Sequence, residues 1–287
     1  MNETQTLETF QSVRPRLFGI AYRMLGTASE ADDVVQDAWL RWQGTDRSAV
    51  REPAAFLATT VTRLAINALD SARARREVYV GPWLPEPVAT GADPTLGAER
   101  NEALSLAVLT LLERLTPAER AAFVLHEAFD YPFRQVAEVL ETSEANARQL
   151  ATRARAHLDR ERAVPISAAE QSRLLTAFIA AAQNGDLEAL EAVLAEDVVA
   201  LSDGGGVVTA ARKPVVGRER VAKFLLGVLE KLANDVENAP IQVNGEWAFV
   251  GRRDGIPIAI WTVEIGPHGI QRFLNVLNPN KLSRIGA

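Results

Sequence analysis

The residues best placed to do chemistry lie on the second of two short amphipathic helices. These read as 132–140 (PFRQVAEVL) and 144–160 (EANARQLATRARAHLDR), joined by a polar Glu141-Thr142-Ser143 turn. Ala147, Leu150, Ala151, Ala154 and Leu158 recur at three- and four-residue intervals and share one side of the second helix. Ala145, Arg148, Gln149, Thr152 and Arg153 therefore point away, and Arg155, Arg160 and Arg162 extend a positive edge. Arginine forks, glutamine amides and threonine hydroxyls at the exposed N-terminal end of a second helix can hydrogen-bond base edges and phosphates in a major groove. The same spacing also fits a solvated, arginine-rich surface, because paired helices are a common motif.

Two further stripes carry chemistry. Thr59, Arg63, Asn67, Asp70 and Arg73 share the polar side of a helix that ends in Arg75 and Arg76. Arg and Asn can engage phosphate or an exposed base, and Asp70 can orient a neighbouring Arg or accept from a base amine. A merely solvated stripe is the competing reading. Upstream, Asp32, Asp33, Gln36, Asp37 and Arg41 oppose an apolar side of Val35, Ala38, Trp39 and Trp42.

The elements that position these residues follow from periodicity and punctuation. Residues 1–76 read as a helical domain, with Leu7, Phe10, Leu17, Ala21 and Met24 as one buried stripe. Ser29 and Asp32 resemble a capping box for the next helix, and Pro53 suits the first turn of a third, with Leu57, Val61, Leu64, Ala65 and Ala68 inward. Residues 77–100 hold Pro82, Pro85, Pro87, Pro94, Gly81, Gly91 and Gly97 and read as a linker. Trp83 within it suggests a docked segment, since an exposed indole gains nothing from water. Helices resume across 101–162, where Thr116-Pro117-Ala118-Glu119 forms a capping box and Ser143 caps the last helix. From 167 to 287 the pattern changes to helices at Ser167 and Asp186, strands VVALS and VVTAAR around a DGGG turn, another helix, and a strand meander. Asn244-Gly245 and Asp254-Gly255 mark its hairpins. The expected fold is thus multidomain: two all-α domains, the second a helix-turn-helix, then an α+β domain with a curved antiparallel sheet.

Composition narrows the class. The chain has 287 residues, 47% hydrophobic and 24% charged, which is ordinary globular usage and excludes a disordered or collagen-like chain. Its net charge of −6 argues against a protein that coats nucleic acid by charge alone. All lysines (Lys213, Lys223, Lys231, Lys281) lie in the second half, so the first relies on Arg for cations. With no cysteine, a disulfide scaffold, a thiolate nucleophile and a Cys-ligated zinc are excluded. The acidic N-terminus lacks signal-peptide features, and no apolar run approaches the ~18 residues of a membrane span; a cytoplasmic chain is expected, with no membrane partner.

The segments RLFGIAYRMLGTASEADDVVQDAWLRWQ (16–43) and LTPAERAAFVLHEAFDYPFRQVAEVLETSEANARQLATRARAHL (115–158) resemble regions two and four of the extracytoplasmic-function sigma factors of bacterial RNA polymerase, within the sigma-70 family. The resemblance implies promoter DNA and the polymerase core, through its clamp helices and flap, as partners. Asp32, Asp33, Gln36 and Asp37 would dock on the clamp. Arg63, Asn67, Asp70 and Arg73, with the loop from about Gln43 to Arg51, would read and melt the minus-ten element. Arg148, Gln149, Thr152, Arg153 and Arg155 would read the minus-thirty-five element. Glu141 stands where this family more often has Gly.

Three further motifs, WLPEP (83–87), DGGG (203–206) and NPNKL (278–282), resemble signatures of the sigma factors that carry a fused SnoaL-like domain. That group implies a cone-shaped C-terminal domain that replaces a separate anti-sigma protein, packs near the WLPEP linker and holds the two DNA-binding domains in place. Its regulatory residues here would be Trp83, Leu84, Pro85, Glu86, Pro87, Asp203, Gly204, Gly205, Gly206, Asn278, Pro279, Asn280, Lys281 and Leu282. Asn280 replaces a more usual Asp.

SnoaL-like folds include enzymes, so catalysis is weighed. His268 falls in a Gly-flanked turn, and Asp203 precedes glycines that serve backbone geometry better than acid–base work. No catalytic residue, cofactor or metal site is expected. Trp247, Phe249, Trp261 and Phe273 fill either the core or a small-molecule pocket of the C-terminal domain. The expected function is promoter-specific initiation with a built-in regulatory domain. The alternative is a small-molecule-binding or enzymatic SnoaL-like domain with an appended DNA-binding module.

Overall fold

Apolar residues at helical spacing, punctuated by caps, produce the helices of the first half. The computed structural model describes residues 3–90, 104–160, 163–164, 166–232 and 236–285. It divides into two units, Met1–Val78 with Thr90–Glu161 and Tyr79–Ala89 with Arg162–Ala287. Residues 79–89, which read as linker, thus belong to the second unit, and 91–103 lie outside the described residues.

In the first unit, α1 (Glu3–Leu25), α2 (Ala28–Gly44) and α3 (Pro53–Glu77) bury Phe10, Leu17, Ala21, Met24, Trp42, Leu57 and Val61 between them. Leu7 stays 43% exposed, so the buried stripe of α1 starts a turn later than the pattern implies. The cap of α2 also differs from expectation: Thr27, not Ser29, is the N-cap, and its hydroxyl donates to Glu30 Oε2 at 2.6 Å. Gly26, in the left-handed region at φ 75°, ends α1 and lets the next helix begin immediately. Then follow α4 (Leu106–Leu112), α5 (Pro117–Phe123) with a π-helical turn over Val124–Ala128, α6 (Phe133–Leu140) and α7 (Glu144–Asp159). The Thr116–Glu119 capping box and the Ser143 cap form as the sequence indicates. Arg120 Nε donates to Arg23 O at 2.9 Å, and Glu113 accepts from both Arg120 and Arg76, which ties α5 to α1 and α3.

In the second unit, α8 (Ala168–Asn184) and α9 (Leu187–Val193) start at Ser167 and Asp186 caps. They precede β1 (Leu194–Asp203), β2 (Val215–Val216), α10 (Arg218–Leu232), β3 (Glu237–Val243), β4 (Glu246–Arg253), β5 (Ile256–Gly266), β6 (Gly269–Val276) and α11 (Pro279–Leu282). The sheet runs β2-β1-β6-β5-β4-β3 and is antiparallel except for the parallel β1–β6 pair. Asn244-Gly245 and Asp254-Gly255 turn the hairpins with positive φ at all four residues, as type I′ geometry requires. VVTAAR, expected as a strand, is not one: the Val207 and Val208 amides both donate to Gly204 O and close a tight turn instead. Leu174 and Phe178 of α8, Leu225 of α10 and Phe273 of β6 share one core, with Trp261 packed against it. Trp261 stacks on Phe249 at 4.2 Å and lies 5.7 Å from Phe273, whereas Trp247 is 63% exposed and outside that core.

Candidate functional site

The second unit assembles all three short motifs around one buried carboxylate. Asp203, the last residue of β1, is fully buried; its backbone oxygen accepts from the Leu277 and Asn278 amides beyond β6. Lys281 of α11, itself buried, donates through Nζ to Asp203 Oδ2 at 2.6 Å and to Leu84 O at 2.5 Å. The Leu84 amide donates to the same Oδ2 at 2.8 Å, and the Tyr79 hydroxyl donates to Oδ1 at 2.5 Å. Asn278 Nδ2 in turn donates to the Tyr79 hydroxyl at 2.7 Å. Lys281 also lies 4.3 Å from the Trp83 ring centroid and 5.0 Å from that of Tyr79, within cation–π range. Burial first, then the hydrogen bond to Asp203 and its charge, push the Tyr79 hydroxyl well above its ordinary pKa.

Glycine is sterically required beside this cluster. A Cβ on Gly205, which sits at φ 61°, would fall 2.3 Å from Asn278 Nδ2; one on Gly204 would fall 2.6 Å from Val208 O. Pro85 and Pro87 are buried, and Glu86 (4% exposed) faces Arg284 Nε at 3.7 Å. Further along, the Val88 amide donates to Asn244 Oδ1 at 3.0 Å, the Asn244 amide returns a bond to Val88 O at 2.9 Å, and Ala89 bridges Val243. Asn278 caps α11, Leu282 is buried, and Pro279 and Asn280 are exposed; the Asn280 amide donates to Asn278 Oδ1, and the motif's ion pair runs through Lys281. Sequence reasoning missed Tyr79, Asn244 and Arg284. Asp203 has donors on both oxygens, so the cluster is suited to holding a chain segment rather than to proton transfer.

The DNA-facing candidates fall into two groups. On α7, Arg148, Gln149, Thr152, Arg153 and Arg155 are all exposed. Among the described residues Gln149 has no hydrogen-bond or ion-pair partner, Arg148 lies 3.0 Å from Glu144 and 4.9 Å from the Phe133 ring centroid, and the Thr152 hydroxyl donates to Arg148 O. Arg153 pairs with Glu119 at 3.1 Å and Arg155 with Glu127. On α3, Asn67 and Asp70 are exposed, while the side chain of Arg73, like residue Arg162, lies outside the described residues. Arg63 is engaged within the unit: it donates to Val139 O at 3.0 Å and Glu138 O at 2.9 Å, and pairs with Glu141 at 3.0 Å. Glu141 adopts the left-handed conformation (φ 53°) at the end of α6, so the turn keeps the geometry that Gly would give.

Asp33, Gln36 and Asp37 form an exposed acidic face of α2, and Asp32 beside them meets Arg14 at 3.2 Å. Between α2 and α3 the chain walls an open concavity of about 620 Å³ bounded by Thr45, Asp46, Arg51 and Phe56. The Ser48 hydroxyl and amide, both bonded to Asp46, hold that carboxyl below its usual range and order the loop. Among the described residues no helix is long and apolar enough to cross a membrane, and no group of three or more His, Asp or Glu could hold a metal ion.

Comparison with known proteins matches residues 9–75 to sigma-70 region 2 and residues 105–158 to sigma-70 region 4. The chain is 41% identical over 248 residues to the ECF RNA polymerase sigma factor SigJ of Mycobacterium tuberculosis, covering 83% of this chain and 78% of that one. It is 35% identical over 218 residues to a probable ECF RNA polymerase sigma factor, SigI, of the same organism, covering 74% and 73%. The crystal structure of the M. tuberculosis extracytoplasmic-function sigma factor SigJ superposes with a TM-score of 0.77 at 34% identity, covering 97% of this chain and 98% of that one.

Proposed function

The chain belongs to the extracytoplasmic-function sigma factors of the sigma-70 family, and from that premise we propose that its SnoaL-like domain regulates sigma activity in cis by holding the segment that joins regions 2 and 4. As a sigma factor it binds the RNA polymerase core and promoter DNA and directs initiation; it is not an enzyme. One observation carries the regulatory reading: Tyr79–Ala89, which begins one residue after the Val78 C-cap position of α3, is built into the second unit through Asp203, Lys281 and Asn244. A factor whose connecting segment is seated this way has its reach between promoter elements set by that seat.

In this reading the Asp33–Gln36–Asp37 face of α2, with Asp32, meets the polymerase clamp. The ordered loop before α3, with Asn67, Asp70 and Arg73, meets the minus-ten element, and Arg148, Gln149 and Thr152 meet the minus-thirty-five element. An open, mostly apolar depression on this loop, beside Phe56, supports the second assignment. A small-molecule ligand of the SnoaL-like domain would act through the same seat. The test is transcription by core polymerase with the full chain, on promoters selected from random DNA, comparing wild type with Lys281→Met. Output that changes in the variant while core binding is retained supports cis regulation. Identical output with a demonstrably released 79–89 segment overturns it.

A further inference from the structure

The π-helical turn at Val124–Ala128 leads, through Asp130 in the left-handed region at φ 56°, into the Pro132 cap of α6. Such turns are concentrated at functional sites, and two side chains of this one bear on arginines of α7. Glu127 pairs with Arg155 directly. His126 acts at one remove: its ring lies 3.9 Å from that of Phe133, the first residue of α6, with 28° between the planes. His126 Nδ1 donates to Tyr131 O at 2.9 Å, since a carbonyl only accepts, and this fixes both tautomer and ring orientation. The Arg148 guanidinium stands over the same Phe133 ring, 4.9 Å from its centroid. Three consecutive elements thus meet at one aromatic ring.

Phe133 sits at the rim of the α6 core rather than in it. Val136, Ala137 and Val139 are buried, whereas Phe133 is only half so. The other contact of Arg148, to Glu144 at 3.0 Å, is an exposed pair one helical turn apart, of the kind that gives way readily. A ring restrains a guanidinium differently. It attracts the cation to its face and leaves the in-plane N–H fork free for hydrogen bonds. An arginine held this way loses less rotamer freedom on binding than an unrestrained one. In a major groove the bidentate match to that fork is guanine O6 and N7.

We infer that Phe133 is a positioning residue that sets Arg148 for bidentate contact with a guanine of the minus-thirty-five element, with His126 fixing the ring. The inference rests on the reading above in which Arg148 meets that element. Phe133 acts through Arg148, so its contribution belongs to a single base position. A residue that only packs would affect every promoter alike.

The experiment uses core polymerase with the full chain, on a promoter selected from random DNA and its single-base variants across the minus-thirty-five element. Arg148→Gln is expected to lower the preference for guanine at one position by roughly 5- to 150-fold, which marks the position Arg148 reads. Phe133→Leu keeps apolar bulk and loses the ring. It should lower the preference at that same position by roughly 2- to 5-fold and leave the others unchanged. Phe133→Tyr retains the ring face and should discriminate as wild type does. In the Arg148→Gln background Phe133→Leu should add nothing, because the two side chains act as one unit. His126→Ala, which loosens the ring from outside α6, should reproduce part of the positional loss. Should thermal melts show that Phe133→Leu does not fold, His126→Ala decides by the same criteria. Wild-type discrimination in Phe133→Leu overturns the inference, as does equal weakening on all promoter variants or a full additive effect in the double variant. A base other than guanine at the marked position overturns the base assignment. If Arg148→Gln alters no position, the minus-thirty-five reading of Arg148 falls and takes the inference with it. A silent Phe133→Leu beside an effective Arg148→Gln sinks the inference alone.

Discussion

Arg63 of α3 sets its guanidinium 3.0 Å from the carboxylate of Glu141, the left-handed residue that ends α6. Two groups read from sequence as separate features, a DNA-facing arginine and an unusual turn residue, are thus partners. While that contact stands, Arg63 is occupied by α6 and its carbonyls rather than by nucleic acid.

Glu141→Gly tests which effect dominates there. A non-glycine residue in the left-handed region costs about 1–2 kcal/mol, whereas an exposed ion pair returns about 0–1 kcal/mol. The variant is expected to be more stable than wild type by about 0–2 kcal/mol in denaturant unfolding. A clear loss of stability would show that the ion pair outweighs the backbone strain.

Lys281 and Asp203 should behave as a coupled buried pair. Lys281→Met strands a buried carboxylate and is expected to cost about 3–5 kcal/mol. Adding Asp203→Leu should recover part of that loss, because neither charge is then left unpaired. Losses that simply add in the double variant would mean the two side chains are not coupled.

Tyr79 gives the second unit an alkaline limit. Its folded pKa is raised by burial and by Asp203, so the neutral phenol is favoured when folded. The unfolded chain releases this proton near pH 10. The contribution is therefore full below that value and is lost as pH rises from about 10 toward the folded pKa. Tyr79→Phe should cost about 1 kcal/mol at pH 7, and the difference from wild type should shrink above pH 10 in thermal melts. A gap that holds constant to pH 11 counts against the assignment.

Gln149 is exposed on the N-terminal half of α7, proposed above to meet the minus-thirty-five element, and has no hydrogen-bond partner among the described residues. Gln149→Ala should remove about 1–3 kcal/mol of base discrimination at one position of the minus-thirty-five element. Holoenzyme binding to single-base promoter variants measures this. Uniform weakening across all variants would instead mark a backbone contact.

Local features were legible in the sequence and distant ones were not. The caps at Thr116, Ser143, Ser167 and Asp186 form because each needs only the next three residues. The three short motifs were visible by resemblance, yet nothing in their spacing showed that they share one carboxylate. Tyr79 and Asn244 carry no local signal, since their partners lie 124 and 156 residues away along the chain. Arg63 kept the helical spacing of an exposed stripe, and only the packing of α6 reveals its engagement. The VVTAAR segment has β-branched residues suited to a strand, but Gly204 O captures two of its amides.

The seating of Tyr79–Ala89 in the second unit changes how deletions of this gene should be scored. A chain cut before Ser167 keeps Leu84, Pro85, Glu86 and Pro87, all buried in the intact protein, yet loses Asp203, Asn244 and Lys281 that receive this segment. The shortened product lacks the domain proposed to regulate it and also gains a newly bared, largely apolar tether between its two sigma regions. A phenotype from such a truncation mixes two lesions, and substitutions that unseat the tether while sparing the domain are what can tell them apart.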